Sequence, residues 1–217
     1  MNIFVCHFNK PLPKYLYEAY LKQLTKELQI KNTRFVRWQD RHAHLFGKLL
    51  LLYAFKDTNI QNLLEIMKYS NNNRPFIPES SYDFSISHSG EYVICGMAEY
   101  LRMGIDIEEI KPIDFKDFRK VMTERQWNDI KSAEESHQIF FKYWTIKECV
   151  IKADGRGLSI PLDHLEMEDS IVVYDNKKWF IKELMIDKTY SAHLALNKEY
   201  EVIIHKIDFF NEYGKCS

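Results

Sequence analysis

Asp106 and Glu108, in the stretch Met103-Gly104-Ile105-Asp106-Ile107-Glu108-Glu109-Ile110, stand where a β-strand normally carries apolar residues. In an extended chain successive side chains point to opposite faces, so these two acids share one face and Ile105 and Ile107 share the other. Like charges on one face repel and call for a partner. Set one side-chain repeat apart, the pair can reach a single hard cation such as Mg²⁺. That ion takes oxygen from a few carboxylates and completes its shell with waters and phosphate oxygens. A D-x-E triplet also occurs on solvated strand edges, but the bracketing isoleucines argue for a strand in the core with its acids turned inward. Glu109, on the opposite face, reads as surface charge.

The segment Phe140–Leu162, FFKYWTIKECVIKADGRGLSIPL, is the second place with chemistry. At helical spacing Ile139, Tyr143, Ile146 and Val150 form one apolar stripe. Glu148 and Lys152 lie i and i+4 on the roughly opposite face, with Phe141 and Trp144 beside them. A helix that is apolar on two sides is buried on two sides. Two readings stand for the charged pair: an exposed ion pair of about 0.3–0.5 kcal/mol, or groups facing protein or ligand, with Glu148 a third carboxylate for the cation. Asp154-Gly155 and Gly157 end the helix.

Ser87, His88 and Ser89 precede Gly90 at a tight turn, where hydroxyls, imidazole and backbone N–H groups can hold a phosphate. A lone His is as readily a satisfied structural residue, and Arg74, before Pro75, as readily a solvated loop residue. The basic run Lys22, Lys26, Lys31, Arg34, Arg37 and Arg41 reads equally as a solvated helix face.

These residues need elements to hold them. Residues 2–8 read as a first strand closed by Pro11 and Pro13, followed by a helical stretch with Tyr15, Ala19 and Leu21. Residues 40–55 read as a helix with Asp40 as N-cap, and residues 59–70 as a short helical piece. The turn residues NNNRP (71–75) introduce β structure. Strands around 83–89, 92–98 and 103–108, joined by short links, suggest an antiparallel meander. The second half repeats the order: a helix over about 136–153, then strands near IVVYD, KWFIKEL, YSAHLAL and EVIIHKI. FIP at 76–78 is echoed by SIP at 159–161. The expected fold is α+β, with two similar halves related by a pseudo-twofold, each an antiparallel sheet packed with helices. The boundary falls near 101–112, giving halves of 1–103 and 104–217 with a site between them.

Bulk properties narrow the classes. The 217 residues are 46% hydrophobic, 28% charged and 14% aromatic, an ordinary globular composition. With Lys+Arg at 30 and Asp+Glu at 31, no global charge draws the chain to nucleic acid or an anionic membrane. Cys6, Cys95, Cys149 and Cys216 form no CxxC pair, so neither a disulfide framework nor a zinc knuckle follows. The N-terminus lacks the features of a signal peptide, and the run LFGKLLLLYAF is too short to span a bilayer. The expectation is a soluble, cytoplasmic protein of a reducing compartment.

Together, ISHSG (86–90), MGIDIEEI (103–110) and YWTIKECVIKADGRGLSIPL (143–162) resemble the motifs of the 4′-phosphopantetheinyl transferases of the surfactin-synthetase-activating type, in order and spacing. The resemblance covers nearly the whole chain and is weakest over the last forty or so residues. It implies transfer of the 4′-phosphopantetheine arm of coenzyme A to a serine of an apo acyl or peptidyl carrier protein, releasing adenosine 3′,5′-bisphosphate. Carriers of peptide, polyketide or fatty-acid synthesis all fit. Asp106, Glu108 and Glu148 match the family's magnesium ligands, with Mn²⁺ an alternative ion. Lys152 matches the lysine on the pyrophosphate, and Glu148 is a candidate base. His88 and Arg74 match positions holding coenzyme phosphates, His88 the 3′-phosphate. Ser87 and His44 fall at positions lining the coenzyme site, and Lys31 and Arg34 at its basic rim. On this reading the partner answering Asp106 and Glu108 is a metal ion and not a lysine or arginine.

Two positions depart from the family pattern. Gln126 stands where a glutamate is usual, with Glu124 two residues earlier, and Leu28 replaces a usual lysine, with Lys26 close by. The resemblance further implies a monomer whose 109–130 region receives the carrier, where Phe115, Phe118, Met122 and Trp127 are either contacts or core. Two other functions compete: a Mg²⁺-dependent nucleotide pyrophosphatase, and a non-catalytic module binding coenzyme A or a carrier.

Overall fold

The alternation in DFSISHS builds β4 (Tyr82–Ser89), which turns through Gly90 at φ 53° into β5 (Tyr92–Glu99). Positive φ is strained for a residue with a Cβ, which is why glycine opens this two-residue turn. The computed structural model describes residues 1–211. Four strands form the first sheet in the order β11-β1-β5-β4, where β1 is Asn2–His7 and β11 is Ile203–Lys206. β1 pairs antiparallel with β5 and parallel with β11. The second sheet is antiparallel, in the order β6-β10-β9-β8-β7. Its strands are β6 (Met103–Glu109), β7 (Met167–Glu168), β8 (Ile171–Tyr174), β9 (Lys177–Glu183) and β10 (Tyr190–Leu196). The α+β class with antiparallel sheets stands.

The expected meander stops after two strands. β6 leaves the first sheet and pairs with β10, Asp106 opposite His193 and Glu108 opposite Ser191. Its free edge faces β4, whose side chains stand in for a backbone ladder: Met103 N–H donates to Asp83 Oδ2 (2.9 Å), Ile105 N–H to Ser85 Oγ (3.1 Å) and Glu109 N–H to Ser89 Oγ (3.1 Å). Polar residues at 83, 85 and 89 therefore serve a strand edge that would otherwise hold unpaired N–H groups. The strand read near EVIIHKI is also present, but it returns to the first sheet, so a cut at 103/104 would part β11 from β1.

Helix α1 (Lys14–Leu21), helix α2 (Lys26–Thr33) and the long helix α3 (Trp38–Ala54) cover the first sheet, with Leu45, Phe46, Leu49 and Leu50 buried against Phe4, Phe84 and Val93. Each such side chain contributes about 1.5–3 kcal/mol by leaving water. Asp40 is not the N-cap expected of it: α3 starts at Trp38, and Asp40 sits in the first turn, where a carboxylate complements the helix dipole. A short helix, α4 (Leu63–Ile66), precedes the hairpin β2 (Lys68–Tyr69) and β3 (Pro75–Phe76). α5 (Glu124–Ser132) and α6 (Ser136–Asp154) belong to the second part. Ile3, Val5, Ile94, Met103, Ile105, Ile107 and Leu194 make one core that joins the two sheets. Cys6, Cys95 and Cys149 are buried free thiols, and Cys216 lies outside the described residues. No helix among the described residues is long and apolar enough to cross a membrane.

Candidate functional site

Gly104 sets the geometry. A Cβ there would lie 2.0 Å from the Cys149 carbonyl oxygen and 2.4 Å from the Ala153 nitrogen, so the backbone of α6 rests directly on β6. Gly104, Asp106 and Glu108 share a face, and the helix laid on that face carries Glu148 and Lys152. The odd residues Met103, Ile105 and Ile107 point the other way into the core, fully buried. Only glycine admits this approach.

The contact makes an ion pair that sequence reasoning did not expect. Lys152 Nζ lies 2.6 Å from Asp106 Oδ1 and 3.1 Å from Ser87 Oγ. A lysine thus answers Asp106, and no Glu148–Lys152 ion pair forms. The family-based reading looked for the partner in a metal, whereas the close helix–strand contact brings an ammonium within reach. Ser87 donates to Asp106 Oδ1 (2.7 Å) and Ser89 to Glu108 Oε2 (2.8 Å). Both hydroxyls therefore serve carboxylates.

The charges feel one another. Burial works against the Lys152 charge, but Asp106 outweighs it, with Glu148 and Glu108 adding, and raises its pKa. Burial raises Glu108, helped by Asp106 and opposed by the Ser89 hydroxyl, by Lys152 and by the Trp144 indole. Burial also raises Glu148, against Lys152 and with Asp106 and Glu108. Among the described residues no three His, Cys, Asp or Glu side chains converge into a ready-made metal cage. The donor set nonetheless suits a hard cation: it is all oxygen, and Asp106 Oδ2 is buried without a partner.

Behind the acids lies a network that the sequence did not reveal. Thr145 Oγ1 donates to the Phe141 carbonyl (2.8 Å), and Ser191 Oγ (3.0 Å) and His193 Nδ1 (2.7 Å) approach the same oxygen. With its proton committed, Thr145 accepts from both, which fixes the His193 proton on Nδ1. Thr145 and Glu148 share a helix face, so this knot ties the helix acid to the strand beside Asp106 and Glu108. Burial, with help from Lys142, takes His193 down to about 4, so it is neutral.

Gln126 is buried and structural. It completes a capping box with Thr123 and donates to the Leu165 carbonyl (3.0 Å), which Lys147 Nζ also reaches at 2.7 Å. Burial takes Lys147 to about 8 against the pull of Asp163 and Glu166. Glu124 is exposed, Leu28 is core and Lys26 is exposed. Phe115, Phe118, Met122 and Trp127 pack around Phe140, so they are core rather than free surface.

Beside the acids opens a cavity of about 550 Å³, lined by Lys31, His44, Arg74, His88 and Lys152 of the residues singled out from sequence, and by Phe35, Lys48, Asn72 and Gly155. Its size suits a nucleotide-like ligand. Arg34 is exposed and not part of this lining, and Ser87 is turned toward Asp106. Arg74 lines the cavity while bonding both oxygens of Asp83 (2.8 and 2.7 Å), the Lys152 carbonyl (2.8 Å) and the Met103 carbonyl (3.0 Å). It thereby binds the end of α6 to β4 and β6. Burial and Lys152 lower the pKa of His88, against Asp40 and Asp106. Sequence reasoning missed Lys48, Asn32, Thr145 and His193. Lys48 follows His44 by one turn, a spacing visible in the sequence, but its side reads as an ordinary helix position until the cavity is seen.

A cavity rich in cations beside a carboxylate cluster, in an α+β fold, has the chemistry to take a phosphorylated ligand. A model described as the 4′-phosphopantetheinyl transferase superfamily matches residues 102–204, and one described as 4′-phosphopantetheinyl transferase, N-terminal, matches residues 10–99. The chain is 30% identical over 209 residues to the 4′-phosphopantetheinyl transferase gsp of Aneurinibacillus migulanus, covering 95% of this chain and 80% of that protein. It is 29% identical over 205 residues to 4′-phosphopantetheinyl transferase Sfp of Bacillus subtilis (strain 168), covering 88% and 89%. A third relative is the L-aminoadipate-semialdehyde dehydrogenase-phosphopantetheinyl transferase of Homo sapiens, at 26% over 198 residues, covering 76% and 64%. The chain belongs to the 4′-phosphopantetheinyl transferase superfamily and is a transferase that delivers phosphopantetheine to carrier proteins.

Proposed function

We propose that the donor is coenzyme A, held in the 550 Å³ cavity between an N-terminal half (1–103) and a C-terminal half (104–217), and that the acceptor is the serine of an apo acyl or peptidyl carrier. The observation that carries this reading is the Lys152–Asp106 contact: a cation and an unsatisfied carboxylate oxygen meet at one edge of a basic cavity. Asp106, Glu108 and Glu148 would hold Mg²⁺ or Mn²⁺. When bound, the ion offsets charge on the pyrophosphate as it is cleaved.

The serine oxygen attacks the β-phosphorus, which bears the pantetheine arm. The bond from that phosphorus to the bridging oxygen breaks, and adenosine 3′,5′-bisphosphate departs. Glu148, its pKa raised by burial, receives the serine proton. Lys152 faces the leaving phosphate with a full positive charge. Arg74, His88, His44 and Lys31 hold the remainder of the coenzyme, with Ser87 and Arg34 contributing at one remove. Exposed Lys111, Lys116, Arg119 and Lys120 flank the segment after β6 and suit an acidic carrier. The enzyme works as a monomer in the cytoplasm, and its substrates are neither nucleic acid nor membrane.

Purified protein, Mg²⁺, coenzyme A and an apo carrier, followed by intact mass, test the reading. Transfer adds one phosphopantetheine to the carrier and stops with EDTA. Bisphosphate release without carrier would make the protein a pyrophosphatase, and coenzyme binding without product would make it a binding module.

A further inference from the structure

Arg156 stands between Gly155 and Gly157, both of which line the cavity, yet it is not part of that lining. An arginine in a glycine turn beside a site for phosphates is ordinarily expected to bind one. Here its guanidinium is engaged elsewhere. Nε and Nη2 donate to Asp154 Oδ1 (2.5 Å) and Oδ2 (3.2 Å), and Nη1 donates to Asp175 Oδ2 (3.0 Å). The group also lies 5.3 Å from the centre of the Tyr174 ring.

Asp154 is the hub of this cluster. Its side chain is 1% exposed and takes a further donor, Lys177 Nζ, at 2.8 Å. It is the last residue of α6, where an acid meets the negative end of the helix dipole and needs cations to hold it there. Burial opposes its charge, and Arg156 and Lys177 outweigh burial and lower its pKa. Tyr174 ends β8 and Lys177 begins β9, joined by Asp175 and Asn176 at φ 52° and 59°, a tight two-residue turn. The four charges therefore clamp the tip of the β8–β9 hairpin to the end of α6. The turn between them is rich in glycine, with Gly155 and Gly157 at φ 90° and 58°, and such a segment loses much freedom when it is ordered. From the first half of the chain, Asn72, which also lines the cavity, donates Nδ2–H to the Gly155 carbonyl (3.2 Å).

We propose that Asp154 is a positioning residue for coenzyme binding: with Arg156 and Lys177 it pins the Gly155–Gly157 turn to the β8–β9 hairpin and keeps this wall of the cavity in binding shape before the coenzyme arrives. The proposal rests on the coenzyme reading above. It makes Arg156 part of the clamp and not a phosphate ligand, and the two roles give opposite signs. Were Arg156 a ligand restrained by Asp154, removing the acid would free a cation beside an anionic coenzyme, and binding would tighten. A clamp that preorganises the wall loses affinity when either partner goes.

The test is calorimetric titration of the full chain with coenzyme A, for the parent, Asp154→Asn, Arg156→Ala and the double variant. Each single variant should bind about tenfold more weakly, the order of free energy needed to fix one backbone residue on binding. The double variant should lose little more than either, since the two residues act as a unit. In steady-state transfer the loss should fall on the KM for coenzyme A, with kcat and the KM for the carrier held. Asp154→Glu, which keeps the charge, should recover most of it. Tighter binding by Asp154→Asn, or losses that add in the double variant, overturn the proposal. A lowered urea midpoint with parental affinity makes the clamp structural only and overturns it too. A parent that binds no coenzyme A overturns the coenzyme reading itself. Should the Asp154 variants fail to fold, amide hydrogen exchange of the parent decides. Residues 155–160 must be protected before coenzyme is added, and exchange there at the open-chain rate until it binds refutes the preformed turn.

Discussion

Lys152 Nζ stands 2.6 Å from Asp106 Oδ1, and the other oxygen of that carboxylate, Oδ2, is buried without a partner. The lysine and any cation gathered by the acids therefore compete for one carboxylate. Lys152→Met should slow transfer by on the order of a hundredfold, as loss of a charge-stabilising group does, yet leave Mn²⁺ binding as tight as in the parent or tighter. Asp106→Ala should remove both. Single-turnover transfer and Mn²⁺ titration separate these outcomes, and a Lys152→Met protein that loses Mn²⁺ binding would make the lysine a scaffold for the acids.

The carboxylates give a pH signature. Burial, with mutual repulsion, raises Glu108 and Glu148 above their ordinary value of 4.5. For acids raised in the folded state, the native protein holds protons longer than the unfolded chain, so the stability they contribute falls as pH rises from 4.5 through their folded values. Mg²⁺ should offset this strain only once they ionise. The rise in melting temperature on adding Mg²⁺ should be largest near pH 8 and fade toward pH 5. An equal rise at both pH values would place the ion away from these acids.

Much of this was legible in sequence because period and spacing carry it. Ile105 and Ile107 alternate with acids, Glu148 and Lys152 lie one turn apart, and Gly104 stands between Met103 and Ile105. What was not legible depends on contacts between elements. The side-chain ladder from β4 to β6 replaces a backbone ladder, so no pairing rule predicts it, and short links alone place β6 in a meander that the structure ends at β5. Asp40 looked like a cap because the aromatic Trp38 hid the true start of α3. The Thr145–Ser191–His193 knot joins positions 46 and 48 residues apart, beyond any local pattern.

His193 makes that knot sensitive to acid. Its folded pKa of about 4 lies below the ordinary 6.5, so the unfolded chain binds the proton first and stability is lost as pH falls from 6.5 toward 4. The full window is worth on the order of 3 kcal/mol. His193→Asn, which can still donate to Thr145 Oγ1, should flatten the loss over that range while keeping transfer at neutral pH within about tenfold. Urea midpoints across the range measure it, and a slope unchanged by the substitution would assign the acid loss to other groups, His44 first among them.

Side-chain acceptors on β4 hold β6 along its free edge. Ser85 Oγ is 3.1 Å from the buried Ile105 N–H, and Ser85→Ala leaves that donor with nothing to meet. An orphaned buried N–H costs about 1–3 kcal/mol, so the urea midpoint should drop accordingly. Ser81→Ala, which removes an exposed hydroxyl from Glu99 Oε1 at 3.0 Å, should move it by less than about 0.5 kcal/mol. Ser87→Ala should differ from both: its hydroxyl serves Asp106 and Lys152 and no β6 N–H. Stability should then change less than for Ser85→Ala, while transfer falls more. If Ser85→Ala proved as mild as Ser81→Ala, a water would be filling the Ser85 rung, and the link between the two sheets would rest on the Asp83 and Ser89 rungs and the shared apolar core.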